Sequence, residues 1–106
     1  MQLSPPIATY FEAERRHDAD ALAATFSDDA VVRDEGAEHA GPAAIRAWWR
    51  ATKAKYRHVA EPLDAAEADG TTVVRARVTG EFPGSPATLT FVFTLSGARI
   101  ARLEIG

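Results

Sequence analysis

An aspartate at the end of a short apolar segment is the residue of this sequence best placed to move a proton. Asp34 follows Ala30-Val31-Val32-Arg33, and in a strand the side chains of Val32 and Asp34 point to the same face. If that face is interior, burial raises the pKa of the Asp34 carboxyl group, which then acts as a base or an acid near neutral pH. The alternative is that Asp34 begins a turn with Glu35-Gly36 and is solvated.

A tyrosine on the apolar side of the first predicted helix is the second candidate. Ile7, Tyr10 and Phe11 recur at helical intervals, so the Tyr10 ring is expected inside the domain. A buried tyrosine hydroxyl usually has a hydrogen-bond partner, here either a backbone carbonyl or a ligand in a pocket. The charged residues of this helix are expected on its opposite, solvent-exposed side: Glu12, Glu14, Arg15 and Arg16.

A helix must position Tyr10 and a short strand must position Asp34, within a first half of the chain that otherwise has helical spacing. One helix is predicted to begin at Ser4-Pro5-Pro6, a short second one is capped by Asp18, and a third begins at Gly41-Pro42. Ser27-Asp28-Asp29 is expected to form a turn after the second helix. A short strand over residues 30–34 is expected to follow it.

The second half of the chain has strand periodicity. A first strand over residues 57–67 contains Pro62, which indicates a sheet edge or a bulge, and Asp69-Gly70 is a hairpin turn signal. Three N-terminal helices followed by strands predict an α+β fold, with the helices packed on one face of a curved antiparallel sheet. One strand face is either exposed or a homodimer surface: Thr88, Thr90, Val92 and Thr94.

Aromatic residues and histidines complete the candidates. Trp48 and Trp49 are adjacent, so they lie about 100° apart on a helix; one is expected in the core and the other beside a pocket or an interface. The histidines His17, His39 and His58 lie on predicted loops or strand starts. A structural or exposed role is expected for each of them, and His58 is the best pocket candidate of the three.

Composition and motifs exclude several classes of function. Twelve basic and fifteen acidic residues give a net charge of −3, which argues against general nucleic-acid binding and against a polybasic membrane surface. The lack of cysteine excludes disulfides and a thiolate nucleophile. No phosphate-binding loop or metal-ligand spacing is present, so neither a metal nor a cofactor is expected. No segment reaches the ~18 apolar residues that span a bilayer and no secretory signal is visible, so a cytoplasmic location is expected.

Large apolar side chains are few for the single domain that 106 residues would form. Of the 49 apolar residues, 22 are alanine and 27 are larger. Because full burial of a large side chain contributes only about 1.5–3 kcal/mol, the gross driving force is modest against chain entropy. This predicts a domain that is marginal, stabilised by association or built around an open centre. The nucleotide composition of the source genome explains the scarcity equally well.

Four segments carry a family resemblance: IATYFEA, DADALAATFSDDAVVRDEG, GPAAIRAWW and FVFTLSGARIARLEI. In this order they resemble the nuclear transport factor 2-like superfamily, which includes ketosteroid isomerases and SnoaL-like polyketide cyclases. The resemblance implies a cone in which helices close over a strongly curved sheet and leave an apolar pocket at the open end. It also implies a homodimer joined through the outer face of the sheet.

By the same resemblance, Tyr10 matches the oxyanion-hole tyrosine of ketosteroid isomerase and Asp34 matches its general base. The position of that enzyme's protonated acid is taken by Phe91, which cannot donate a hydrogen bond, so only weaker proton abstraction next to a carbonyl is implied. The expected ligand is a small apolar or carbonyl-bearing molecule. The expected pocket residues, besides Tyr10 and Asp34, are Phe26, Val32, Trp48, His58, Phe91 and Phe93. The competing hypothesis is a non-catalytic ligand-binding or dimerisation module in which Asp34 is only a rim carboxylate.

Overall fold

Three helices and six strands make up the fold, which is α+β. The computed structural model describes all residues from Met1 to Gly106. The elements, in chain order, are α1 (Pro5–Arg15), α2 (Ala19–Ala24), β1 (Phe26–Asp34), β2 (Ala37–Ala40), α3 (Pro42–Tyr56), β3 (Val59–Ala68), β4 (Thr71–Thr79), β5 (Ala87–Ser96) and β6 (Arg99–Ile105). All six strands form one open sheet in the order β2-β1-β6-β5-β4-β3.

One pairing corrects the prediction of a wholly antiparallel sheet. β1 runs parallel to β6, with Val32 opposite Leu103, whereas the other four pairings are antiparallel. Parallel strands need a long connection, and here α3 and four strands separate β1 from β6 in the chain. The sheet is therefore mixed, and it joins the first strand of the chain to the last.

A hairpin of β1 and β2 lies between α2 and α3, so the strand predicted over residues 30–34 is confirmed as the end of β1. The predicted turn at Ser27-Asp28-Asp29 lies inside β1, where the register with β6 shifts between Phe26 and Val31, as at a β-bulge. Strand β2 was not predicted. Its turn has positive φ at Glu35 (52°) and Gly36 (77°), the geometry of a two-residue hairpin turn.

The predicted helix starts are confirmed. Pro5 and Pro6 lie in the first turn of α1, and Pro42 begins α3. The carboxylate of Asp18 caps α2, because its Oδ1 accepts a hydrogen bond from the backbone N–H of Ala21 at 3.0 Å. These signals fix where the three helices begin.

Two predicted features of the strands are confirmed as well. Pro62 lies on β3, an edge strand of the sheet, and the pairing with β4 shifts register between Pro62 and Asp64. Asp69-Gly70 connects β3 to β4 with φ values of 51° and 79°, as a tight hairpin requires.

The core lies between the helices and the inner face of the sheet. Tyr10 is at its centre, with ring centroids 5.1 to 6.4 Å from those of Phe11, Phe26, Phe91 and Phe93. Helix α1 contacts β3 and β6, while α3 contacts β1 and β2. The longest helix, α3, has 15 residues, and none of the helices combines the length and apolarity needed to cross a membrane.

Candidate functional site

A cavity of about 450 Å³ lies beside the aromatic core, within the ~300–1,000 Å³ that ligand pockets occupy. Side chains from α1, α3 and the sheet line it, and most of them are apolar. The lining residues are Tyr10, Glu14, Asp34, Glu35, Trp48, Thr52, Tyr56, His58, Ala60, Val78, Phe82, Pro83, Ala87, Leu89, Phe91, Ile105 and Gly106. The cavity is therefore mainly apolar, with a few polar groups in its lining.

Five of the eight predicted site residues line this cavity: Tyr10, Asp34, Trp48, His58 and Phe91. The expected placement of Phe26, Val32 and Phe93 is corrected, because these side chains are at most 1% exposed and lie inside the core. Alternate residues of a strand share a face, but they lie about 7 Å apart along it. Asp34 and Phe91 consequently reach the cavity, whereas Val32 and Phe93 lie deeper under the helices.

Asp34 is half-buried at the cavity wall, where Trp48 holds its carboxylate. The indole Nε1 of Trp48 donates a hydrogen bond to Asp34 Oδ2 at 3.1 Å, while the neighbouring Trp49 is buried outside the lining. Burial raises the pKa of Asp34, and the negative Glu35 adds to that rise, although the Trp48 hydrogen bond and two histidines oppose it. A carboxylate with a raised pKa is a stronger base than an ordinary one.

Tyr10 presents a protonated hydroxyl to the same cavity. Its side chain is 2% exposed, and burial raises its pKa well above the usual value, followed by the charges of Glu14 and Asp34. The phenol therefore stays neutral at physiological pH and is a hydrogen-bond donor. Tyr10 lines the cavity together with both of these carboxylates.

Glu14 is the polar residue that the sequence analysis missed. The prediction that it faces solvent is wrong, because its side chain is 1% exposed and it lines the cavity. It lies four residues after Tyr10 and seven after Ile7, which places all three on one side of α1. This helical spacing indicates that Glu14 faces the interior, whereas its acidic side chain favours the prediction that it faces solvent.

A buried cluster of charged groups surrounds Glu14. Its Oε1 accepts hydrogen bonds from Lys53 Nζ at 2.8 Å and from His58 Nε2 at 3.0 Å, and its Oε2 accepts one from the Ala60 N–H at 3.2 Å. Burial alone raises the pKa of Glu14, but the bonds from His58, Lys53 and Ala60 lower it below its usual range. Glu14 is therefore an ionised carboxylate, and the other ring nitrogen of His58, Nδ1, is buried without a partner.

The exposed part of the lining is formed by a carboxylate and two rings. The Tyr56 hydroxyl donates a hydrogen bond to Glu35 Oε1 at 2.8 Å, and the Tyr56 and Phe82 rings are nearly perpendicular with centroids 6.0 Å apart. No group of three or more histidine, cysteine or acidic side chains is placed to hold a metal ion. The site as a whole offers a base, a neutral donor and apolar walls, which suits acid–base chemistry on a small organic molecule.

Comparison with known proteins gives a family match over most of the chain. The SnoaL-like domain family matches residues 7–103. A candidate polyketide cyclase from Sinorhizobium meliloti is 51% identical, with a TM-score of 0.95 over 98% of this chain and 95% of that one. No protein with a curated description matches the sequence.

More distant structures share the fold. A protein from Catenulispora acidiphila, described as having a ketosteroid isomerase-like fold and solved with trimethylamine, is 19% identical, with a TM-score of 0.86 over 99% of this chain and 86% of that one. A nuclear transport factor 2-like protein of unknown function from Cytophaga hutchinsonii is 9% identical, with a TM-score of 0.80 over 100% and 91%. These two similarities extend to architecture alone.

Proposed function

Because the chain belongs to the SnoaL-like domain family, we propose that it is a cofactor-independent isomerase or cyclase acting on a small carbonyl-bearing molecule. The observation that carries this proposal is that Asp34 and Tyr10 line one apolar cavity. The 51% identical protein described as a candidate polyketide cyclase supports the same class of reaction. In this proposal the sheet curves around the ligand as a cone whose open end admits it.

The proposed chemistry is proton abstraction next to a carbonyl. The Asp34 carboxylate takes a proton from the adjacent carbon, and the C–H electron pair forms the carbon–carbon double bond of an enolate. The Tyr10 hydroxyl donates a hydrogen bond to the enolate oxygen, where the negative charge accumulates. Asp34 then returns the proton to another carbon in an isomerisation. In a cyclisation the enolate carbon attacks a second carbonyl of the same molecule, whose oxygen becomes an alkoxide and takes the proton from Asp34.

A second candidate function is a non-catalytic module that binds a hydrophobic ligand. Phe91 favours it, because this ring lines the cavity where the resemblance to ketosteroid isomerase places a second hydrogen-bond donor to the enolate. With Tyr10 as the only donor at that oxygen, stabilisation of the oxyanion is weaker than in a site with two donors.

The two candidates are separated by binding and turnover measured on the same compounds. A thermal-shift screen of hydrophobic carbonyl compounds identifies ligands, because a ligand that binds only the folded state raises the melting temperature. We expect an enone-forming ketone among these ligands to gain ultraviolet absorbance at a rate proportional to protein concentration. Ligands that stabilise the protein but show neither absorbance change nor exchange of the proton next to the carbonyl would instead support the binding module.

We also propose that the outer face of the sheet joins two copies of the chain. Val92 is half-buried on that face, opposite Val73 of β4, with Thr90 and Thr94 on either side. We expect light scattering to give twice the chain mass of 11.4 kDa. Val92→Arg should halve that mass, and Ala54→Arg on the exposed side of α3 should leave it unchanged. A monomeric wild-type protein contradicts the proposal.

A further inference from the structure

We infer that the cavity selects a ligand that carries a protonated amine in addition to its carbonyl group, and that it rejects carboxylates and phosphates. This inference rests on the proposed function, since it assigns a substrate class to the same site. It comes from the charges and rings of the lining, which the proton-transfer chemistry leaves unused.

The cavity lining contains three carboxylates and no lysine or arginine. Lys53 lies outside the lining and balances the charge of Glu14 through an ion pair at 2.8 Å. Asp34 and Glu35, in contrast, accept hydrogen bonds from the neutral indole of Trp48 and the neutral phenol of Tyr56. Neither of these two carboxylates has an arginine or lysine ion-pair partner.

The basic groups near this wall either lie outside the lining or contact Glu14. Lys55 Nζ lies 4.9 Å from the Tyr56 ring centroid and attracts Glu35, but this ammonium group is exposed, where water and salt screen its charge, and it lies outside the lining. His39 stacks near Trp48 with centroids 5.9 Å apart, also outside the lining. His58 lines the cavity, but its Nε2 contacts Glu14. An incoming ligand therefore meets an apolar wall with two carboxylates, Asp34 and Glu35, that have no lysine or arginine ion-pair partner.

Aromatic rings beside Glu35 add a second feature that favours cations. Tyr56 binds Glu35 through its hydroxyl, and the Phe82 ring stands nearly perpendicular to the Tyr56 ring. A cation over an aromatic face is attracted by the negative face of the ring, most strongly at desolvated sites. Because Lys55 already lies over the Tyr56 ring, an alkylammonium group placed at Glu35 would lie beside the carboxylate and the Phe82 ring, and it would leave Asp34 and Tyr10 free for the carbonyl group.

An anionic ligand is disfavoured in the same cavity. Its charge would be brought close to Asp34 and Glu35 in a mostly apolar cavity, where like charges repel more strongly than in water. The lining has no lysine or arginine to neutralise it. Charge thus discriminates between ligands of equal size and shape.

Titration calorimetry with three matched acetophenones tests the inference. The probes are 4-(aminomethyl)acetophenone, 4-(hydroxymethyl)acetophenone and 4-acetylbenzoate, which share the carbonyl and ring and differ in charge at neutral pH. We expect the amine to bind about tenfold more tightly than the alcohol, and the carboxylate about tenfold more weakly. High salt should narrow the difference, because it screens the charges.

Two variants test whether the charge of Glu35 causes the preference for the amine. Glu35→Gln keeps an acceptor for Tyr56 but removes the charge, so it should abolish most of the amine's advantage over the alcohol. Glu38→Gln on β2 removes an exposed carboxylate outside the lining and should change neither affinity. Equal wild-type affinity for amine and alcohol overturns the inference, as does an amine that fails to bind or an advantage that survives Glu35→Gln.

The outcome can be told apart from that of the proposed function. Turnover of neutral ketones without any preference for the amine would overturn this inference and leave the proton-transfer proposal standing. A preference for the amine without proton exchange would confirm the charge selection and contradict catalysis.

Discussion

Replacing Asp34 by asparagine is expected to lower the rate of proton transfer by at least about 100-fold, because a positioned general base contributes about 10²–10⁴ to a rate. Asparagine has the same size and its side-chain oxygen still accepts the hydrogen bond from Trp48 that now lies at 3.1 Å. The cavity should therefore persist while its base is lost. The measurement is enone absorbance, or exchange of the proton next to the carbonyl, with a ligand from the thermal-shift screen.

The matched control is Asp28→Asn, which changes an exposed aspartate of the same strand. It should leave both the rate and the ligand affinity unchanged. An Asp34→Asn protein that binds the ligand and retains more than about a third of the wild-type rate would remove Asp34 from the role of base, because that loss is far below the contribution of a general base.

The pH dependence of the wild-type rate gives an independent check on Asp34. The carboxylate is the active form of a base, so the rate falls as the pH is lowered through the pKa of Asp34. Burial, with a contribution from Glu35, raises that pKa despite the Trp48 hydrogen bond. The acid limb of the profile is therefore expected at a higher pH than for an ordinary aspartate, and a limb in the ordinary range contradicts the assignment.

Replacing Glu14 by alanine is expected to lower the free energy of unfolding by about 3–5 kcal/mol, the cost of removing one partner from a buried ion pair. The change leaves three donors without their acceptor: the Lys53 ammonium group, His58 Nε2 and the Ala60 N–H. Lys53 is only 15% exposed, so water cannot fully replace the carboxylate. Urea unfolding at one fixed protein concentration measures the loss.

Glu12 provides a control on the same helix. Its carboxylate is 49% exposed and pairs with the exposed Arg15, so Glu12→Ala should cost no more than about 1 kcal/mol. The double variant Glu14→Met with Lys53→Met should lose less stability than Glu14→Ala, because it removes both buried charges together. Equal losses for Glu12→Ala and Glu14→Ala would contradict the stabilising role of the buried cluster.

Acid should reduce the contribution of Glu14 to stability. Although burial opposes ionisation, the bonds from His58 and Lys53 lower the pKa of Glu14 in the folded state. A carboxyl group with a lowered folded-state pKa stabilises the fold above its unfolded pKa, and this contribution is lost as the pH falls through the folded-state value. The stability difference between the wild-type protein and Glu14→Gln is therefore expected to narrow as the solution is acidified.

Local signals in the sequence predicted the helix starts and most of the hairpins. Prolines at Pro5 and Pro42, the Asp18 cap and the Asp69-Gly70 turn act on their immediate neighbours, so their effect is readable from a few residues. The parallel pairing of β1 with β6 cannot be predicted from a few residues, because it joins segments about 70 residues apart and no turn connects them.

The candidate site shows the same division between local and non-local information. Strand alternation predicted that Asp34 shares a face with Val32, but alternation cannot say that Asp34 reaches the cavity while Val32 stays in the core. Glu14 was assigned to solvent because acidic residues are rarely buried without partners. Its partners Lys53 and His58 come from α3 and from the segment before β3, so the residues next to Glu14 in the sequence do not predict these contacts.

The parallel pairing of β1 with β6 also bears on how the chain folds during translation. β1 leaves the ribosome about 70 residues before the strand that it pairs with, so one of its edges stays open while the intervening chain is made. Such a contact between distant segments slows folding, and an unpaired apolar edge invites aggregation. The sheet can be completed only when residues 99–105 have been made, which makes the newly synthesised chain most vulnerable to self-association just before β6 emerges.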